Sequence, residues 1–328
     1  MRRRPVALLT LMIRRHITCT RRGNANRSPP NMRCAPRFWR TECDDERPRL
    51  RVRYCRAISG QAVEPGRDKM KILLIGCGKM GGAMLRQWAH TDDYHITVAD
   101  PAATDLPDGV THVSKATDLP VGFFDVVLIA IKPQMIADVL PDYAPALKSG
   151  GCFVSIAAGC SVATIAGVVG DAAIIRVMPN MGAMVGLGVS GLFANQTCTQ
   201  KHRSDITALI ALTGTCVQLA SEDEIDRLTA VSGSGPGYVF EIMRSYVEAA
   251  QSVGFDQPTA RSLVFDTIVG AVETARQSDA SLEELRNSVT SKNGTTQAGL
   301  EQLMRSGQLD ALLNDTVQAA YARADALK

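Results

Sequence analysis

Residues 71–75 form an apolar run of strand length, and Ala83, Met84, Leu85 and Trp88 then recur at helical spacing. Tyr94 opens a second strand-like run at 94–99. A third, residues 125–131, is apolar nearly throughout, as a strand covered on both faces must be. A helix is expected from Gln134, with further strands at 152–158 and 173–177. Strands alternating with helices predict an α/β fold with a doubly wound parallel sheet. From Glu222 the alternation stops. Pro236 suits a first helical turn, Asp256 a cap with Pro258 just inside the next helix, and Ser281-Leu282-Glu283-Glu284 a capping box. These signals predict an all-helical region over residues 223–328 behind an α/β region over 70–222.

Composition changes the picture at the front. The 328 residues are 45% hydrophobic and 21% charged, as in a globular chain, and no apolar run approaches a membrane span. The net charge of +3 divides unevenly. Residues 1–69 hold seventeen Arg and one Lys against six acids, a net +12, which leaves −9 for the rest. This front lacks helix or strand periodicity, is broken by prolines, and predicts a basic, disordered extension. Charge alone does not make it a nucleic-acid binder, because no aromatic interleaving or binding motif accompanies it. An extension of the reading frame upstream of Met70 explains it better than an Arg-rich transit segment, since Glu42 to Glu46 are acidic and serines are few. The later cysteines, Cys77, Cys152, Cys160, Cys198 and Cys216, show no metal-ligand spacing. They read as reduced thiols of a cytoplasmic protein, with no metal site.

The first strand runs into Gly76-Cys77-Gly78-Lys79-Met80-Gly81 and then the first helix. Strand, glycine turn and helix are the parts of a Rossmann dinucleotide-binding unit. The first glycine permits the turn, the second lets backbone approach a pyrophosphate, and the third lets the helix pack closely. The second strand ends at Asp100, where a carboxylate can bond both hydroxyls of an adenosine ribose and repel a 2′-phosphate. NADH or NADPH is therefore the expected cofactor, with Asp100 favouring NADH; alternatively Asp100-Pro101 merely starts a turn. Ala130, Ile131, Lys132 and Pro133, and Ala158 with Gly159, fall at carboxyl ends of later strands, where such sheets bind ligands. Lys132 also reads as a solvated lysine.

The run Val289-Thr290-Ser291-Lys292-Asn293-Gly294-Thr295-Thr296-Gln297 packs hydroxyls around a glycine before a helical pattern. A helix start offers free N–H groups and the positive end of the dipole, which suit a carboxylate or phosphate. An ordinary hydroxyl N-cap accounts for the same residues. Some fifty residues upstream lies Val231-Ser232-Gly233-Ser234-Gly235-Pro236-Gly237-Tyr238. Taken in order, the three glycine-bearing runs resemble pyrroline-5-carboxylate reductase, and the resemblance extends from Lys71 to the C-terminus. Arg176 with Met178-Pro179-Asn180 matches that family's Arg-x-Met-Pro-Asn run. The chain departs from it at Met181-Gly182, where Thr-Pro is usual, and at Lys292-Asn293, where Pro-Gly is usual. Asparagine tolerates the left-handed backbone that a glycine there would adopt.

The resemblance implies hydride transfer from NAD(P)H to the imine carbon of 1-pyrroline-5-carboxylate, giving L-proline. It places Thr296 at the imine nitrogen as the catalytic contact, with Ser291 and the amides of Gly294 and Thr295 on the substrate carboxylate. It further implies a homodimer or a larger homo-oligomer. The stretch 258–275, apolar or small nearly all round with only Arg261, Asp266 and Glu273 charged, calls for the same thing, since one small bundle cannot cover it. Two other readings remain: a hydroxyacid-type dehydrogenase, which shares the order of domains, and a nucleotide-binding regulator without turnover.

Overall fold

The structure is a computed structural model that describes residues 68–327. The basic extension at 1–69 lies outside the described residues except for Asp68 and Lys69.

Eight strands make one sheet in the order β3-β2-β1-β4-β5-β6-β7-β8. They are β1 (Met70–Ile75), β2 (Tyr94–Ala99), β3 (Thr111–Val113), β4 (Phe124–Ile129), β5 (Leu147–Ser155), β6 (Ile174–Met178), β7 (Gly188–Ala194) and β8 (Gly214–Gln218). From β3 to β6 every pairing is parallel, and β7 then runs antiparallel to β6. The expected parallel sheet is thus mostly parallel, with a reversed pair, β7 and β8, at one edge. The apolar run at 125–131 is strand only to Ile129, so Ala130 and Ile131 begin the loop that follows.

Helices α1 (Lys79–Trp88), α2 (Ile136–Tyr143), α3 (Val162–Val169) and α4 (Gln200–Ala211) cover the sheet. Alternate residues of β1 feed different cores. Ile72 and Leu74 pack with Met84, Trp88, Ile206 and Leu209, whereas Leu73 and Ile75 pack with Ile136, Leu140 and Ile165. Both faces are dry, which is why β1 and β4 read as continuous apolar runs. Each fully buried Leu or Ile contributes about 1.5–3 kcal/mol, so these two layers dominate the stability of this half. Trp88 ends α1 fully buried, its indole N–H donating to the Leu209 carbonyl at 3.0 Å.

Beyond the sheet come α5 (Glu222–Leu228), a turn of π-helix at Thr229–Gly233, α6 (Gly235–Ser252), α7 (Gln257–Arg276), α8 (Leu282–Ser288), α9 (Thr295–Leu303) and α10 (Gln308–Asp325). Their ends follow local chemistry. Asp256 accepts the Thr259 N–H at 3.0 Å, and Ser281 and Glu284 form the reciprocal capping box. Their burial is unlike that of the sheet. No residue of α6, α8, α9 or α10 is buried, and α7 buries only Ala260 and Val264. Phe240, Ile242, Leu263, Val269, Val272 and Leu312 all stand exposed. One chain supplies these helices with faces and no core. Among the described residues, no helix is long and apolar enough to cross a membrane.

Candidate functional site

At the carboxyl end of β1, Gly76 has φ +89° and its amide donates to the Ala99 carbonyl at 3.0 Å. A Cβ on Gly76 would lie 2.8 Å from Ile131 Cγ2 and 2.9 Å from the Ala130 oxygen. One on Gly81 would meet the Gly76 oxygen at 2.7 Å and Ala130 Cβ at 3.0 Å. The first and third glycines therefore let the turn, α1 and the Ala130-Ile131 loop stack together. Gly78 is different. It is the N-cap of α1 with φ −68°, no side chain caps it, and a Cβ there meets no atom within 4 Å. The open space beside an uncapped helix start is what a pyrophosphate needs. Lys79 and Met80 follow as the first helical residues.

Asp100 closes this corner. Its Oδ2 accepts the Cys77 N–H at 2.7 Å and its Oδ1 the Ala102 N–H at 2.8 Å. The carboxylate starts a turn, as one reading of Asp100 has it, and also holds the glycine loop. Burial, then the Asp100 charge, pushes the Cys77 thiol above its ordinary pKa and keeps it protonated. The segment after Asp100 contains Asp105 and Asp108 and no Lys or Arg before Lys115. Across the crevice, Lys132 is exposed with Pro133 half-buried, and Gly159, with φ +71°, follows exposed Ala158 at the end of β5. The structure thus gathers the glycine turn, Asp100 and the loops after β4 and β5 at one end of the sheet.

The hydroxyl run forms the turn into α9. Asn293 has φ +58°, the left-handed conformation foreseen for it, and its N–H donates to the Gln297 side chain at 2.8 Å. The Gly294 N–H donates to the Ser291 carbonyl at 3.0 Å, so it is engaged in the turn. Gly294 is the N-cap and no side chain caps the helix, so the ordinary hydroxyl cap is not what these residues make. Thr295 and Thr296 occupy the first two helical positions, both exposed, as is Ser291. A Cβ on Gly294 would lie 2.3 Å from Ser291 Oγ, which shows how closely that hydroxyl approaches the helix start. Thr290 takes no part, its hydroxyl donating to the Arg286 carbonyl at 2.7 Å.

One cluster was not legible as a site beforehand. Arg176, only 3% exposed, donates from Nη1 to Glu222 Oε1 at 3.0 Å, and its Nη2 lies 3.6 Å from Asp226 Oδ1. Glu222 Oε1 also accepts the Val162 N–H at 3.0 Å, tying β6, α3 and α5 together. The one signal was an arginine inside an otherwise apolar strand, which demands a buried acid somewhere. Glu222 and Arg203 also line a cavity of about 560 Å³ that none of the motif residues reaches. There the Arg203 guanidinium is spent on the Ala194 and Asn195 carbonyls.

Known proteins resemble this chain over about four-fifths of its length. The family described as "Pyrroline-5-carboxylate reductase dimerisation" matches residues 222–327, and that described as "NADP oxidoreductase coenzyme F420-dependent" matches 71–159. The pyrroline-5-carboxylate reductase of Pseudomonas aeruginosa is 33% identical over 260 residues, covering 77% of this chain and 95% of its own length. That of Pasteurella multocida is 34% identical, covering 78% and 97%. Among solved structures, the Coxiella burnetii pyrroline-5-carboxylate reductase superposes with a TM-score of 0.73 at 30% identity, covering 80% of this chain and 99% of that one. The Plasmodium falciparum pyrroline carboxylate reductase with NADP bound gives 0.71 at 25%, with the same coverage. With the dimerisation family matched over residues 222–327 and relatives a third identical over more than nine-tenths of their own length, the chain belongs to the pyrroline-5-carboxylate reductase family.

Proposed function

We propose that this protein reduces 1-pyrroline-5-carboxylate to L-proline with a nicotinamide cofactor, and that two or more copies assemble to do it. The observation that carries the reading is the pairing of two uncapped helix starts in one chain: α1 at Gly78 and α9 at Gly294. The first suits a pyrophosphate and the second a small carboxylate. The residues at 76–81 fit the cofactor, because the only glycine of the three with free space over it is the one a phosphate must approach. When bound, a reduced nicotinamide supplies the hydride. Everything else is asked of the chain.

A cyclic imine accepts hydride once its nitrogen is protonated or hydrogen-bonded, since this makes the imine carbon electrophilic. Thr296 is the donor proposed for that nitrogen. Ser291 and the amides of Thr295 and Thr296 hold the carboxylate, while Gly294 contributes space and its own amide shapes the turn. No lysine or histidine acid is required, because an imine can arrive already protonated. A ketone cannot do so readily, and the helix after the glycine-dense run offers no lysine, its one cation, Arg244, being paired with Glu241 at 2.6 Å and with Glu248. That weighs against a hydroxyacid dehydrogenase.

Four further assignments belong to the same reading. Residues 70–222 bind the cofactor and 223–328 bind substrate and the second subunit. Lys132, Pro133, Ala158 and Gly159 line the nicotinamide end. Asp100, followed by Asp105 and Asp108 with no Lys or Arg before Lys115, favours NADH over NADPH. The free thiols suit the reducing cytoplasm, where we place the enzyme.

The test is a steady-state assay on the purified protein. Oxidation of NADH or NADPH should depend on 1-pyrroline-5-carboxylate and ignore small hydroxyacids and their keto forms. Turnover of a keto acid with none of the imine would overturn the assignment.

A further inference from the structure

The carboxyl end of β6 touches the helical half at three points. Arg176 reaches Glu222 at the start of α5. The Met178 methyl packs against Gly233, where a Cβ would come within 3.4 Å of it. Asn180 is the third contact and the most divided in its bonding. Its Oδ1 accepts the N–H groups of Gly182 at 3.1 Å and Val189 at 3.0 Å, which fold the following loop. Its Nδ2 donates to the Ser232 carbonyl at 2.9 Å, in the turn of π-helix that precedes α6. π turns are frequent at functional sites, and here the loop just past β6 bonds to a carbonyl within one.

Resting on the reductase reading above, we propose that Asn180 is a positioning residue for hydride transfer. Its amide NH₂ fixes the Ser232 carbonyl, and with it the start of α6, against the end of the sheet that carries the cofactor loops. Neither loop bond of Asn180 crosses between the halves; the Nδ2 bond alone does. Hydride transfer depends steeply on the separation of donor and acceptor carbons, so releasing this tie costs rate in the chemical step and leaves cofactor binding nearly intact.

Asn180→Asp separates the two functions of the side chain, because a carboxylate keeps both acceptor bonds and loses the donor. In the full-length oligomer, kcat with 1-pyrroline-5-carboxylate should fall roughly tenfold to a hundredfold. The dissociation constant for the reduced cofactor should stay within about twofold, well under the tenfold that 1.4 kcal/mol would bring. The primary isotope effect from cofactor deuterated at the transferring carbon should rise. As pH drops through the pKa of the introduced carboxyl, the donor returns, and the variant-to-native ratio of kcat should climb. Gly233→Ala repeats the test without touching a polar group, pressing on Met178 and on Thr229 Cγ2 at 3.3 Å, and it decides the matter if Asn180→Asp does not fold. A folded variant with native kcat and isotope effect overturns the proposal, as does a loss confined to cofactor affinity. An inactive native protein would instead sink the reductase reading.

Discussion

Thr296 carries the chemistry in this account, and its place in α9 makes that separable from stability. It sits at the second helical position, caps nothing, and is exposed. Thr296→Val keeps the shape and removes the hydroxyl, so the melting temperature and cofactor binding should hold. Turnover should fall by roughly 2–4 kcal/mol in the barrier, about thirtyfold to a thousandfold. Steady-state kinetics and thermal melting on one preparation check this; native turnover would return Thr296 to a surface role. Asp100→Ser should shift the ratio of catalytic efficiencies toward NADPH by about 1–2 kcal/mol, by removing a charge from a partly exposed corner. An unchanged ratio would mean that the carboxylate serves only the Cys77 and Ala102 amides. Single residues were legible where the chemistry is local. Asn293 followed from backbone preference alone, whereas the partners of Arg176 lie forty-six and fifty residues along the chain and no local pattern names them.

Elements were legible where both faces of the sheet are buried, because burial forces apolar runs. β1 and β2 lie where the pattern put them. β7 and β8 were missed for a physical reason. β7 reads Gly-Val-Ser-Gly-Leu-Phe-Ala, and the close approach of Gly188 to Gly214 in β8 requires glycines, which strand preference disfavours. The same logic of space gives a test in the glycine turn. Gly78→Ala introduces a Cβ that meets no protein atom and strains no backbone angle, so the fold should keep its melting temperature. Cofactor affinity should drop roughly tenfold or more, about 1.4 kcal/mol, because the methyl occupies the approach of the pyrophosphate. Calorimetric titration reads this directly, and unaltered affinity would move the cofactor off the turn.

At the scale of the molecule, the helical third of the chain is built for a partner. The sheet half holds two dry cores, and the helices from α6 to α10 have almost none. A carboxylate placed at Val272, now 45% exposed on α7, should dissociate the oligomer in sedimentation and abolish turnover at dilute concentration. An unchanged assembly would put the interface on another face. The apolar or small residues of 258–275, found nearly all round the helix, announced this surface, since one chain could not cover it; which side chains meet across it was not legible, because a second copy leaves no mark on the order of residues.

In the proposed reaction the hydride of a reduced nicotinamide goes to the carbon of an imine held at the start of α9. The most direct measurement supplies NADH or NADPH deuterated at the transferring carbon, with unlabelled 1-pyrroline-5-carboxylate, and examines the proline formed by mass spectrometry. One deuterium per molecule at the former imine carbon, with about thirtyfold to a thousandfold less of this labelled proline from the Thr296→Val variant over the same interval, is the predicted result. Proline without label, or cofactor oxidation without proline, would contradict the account.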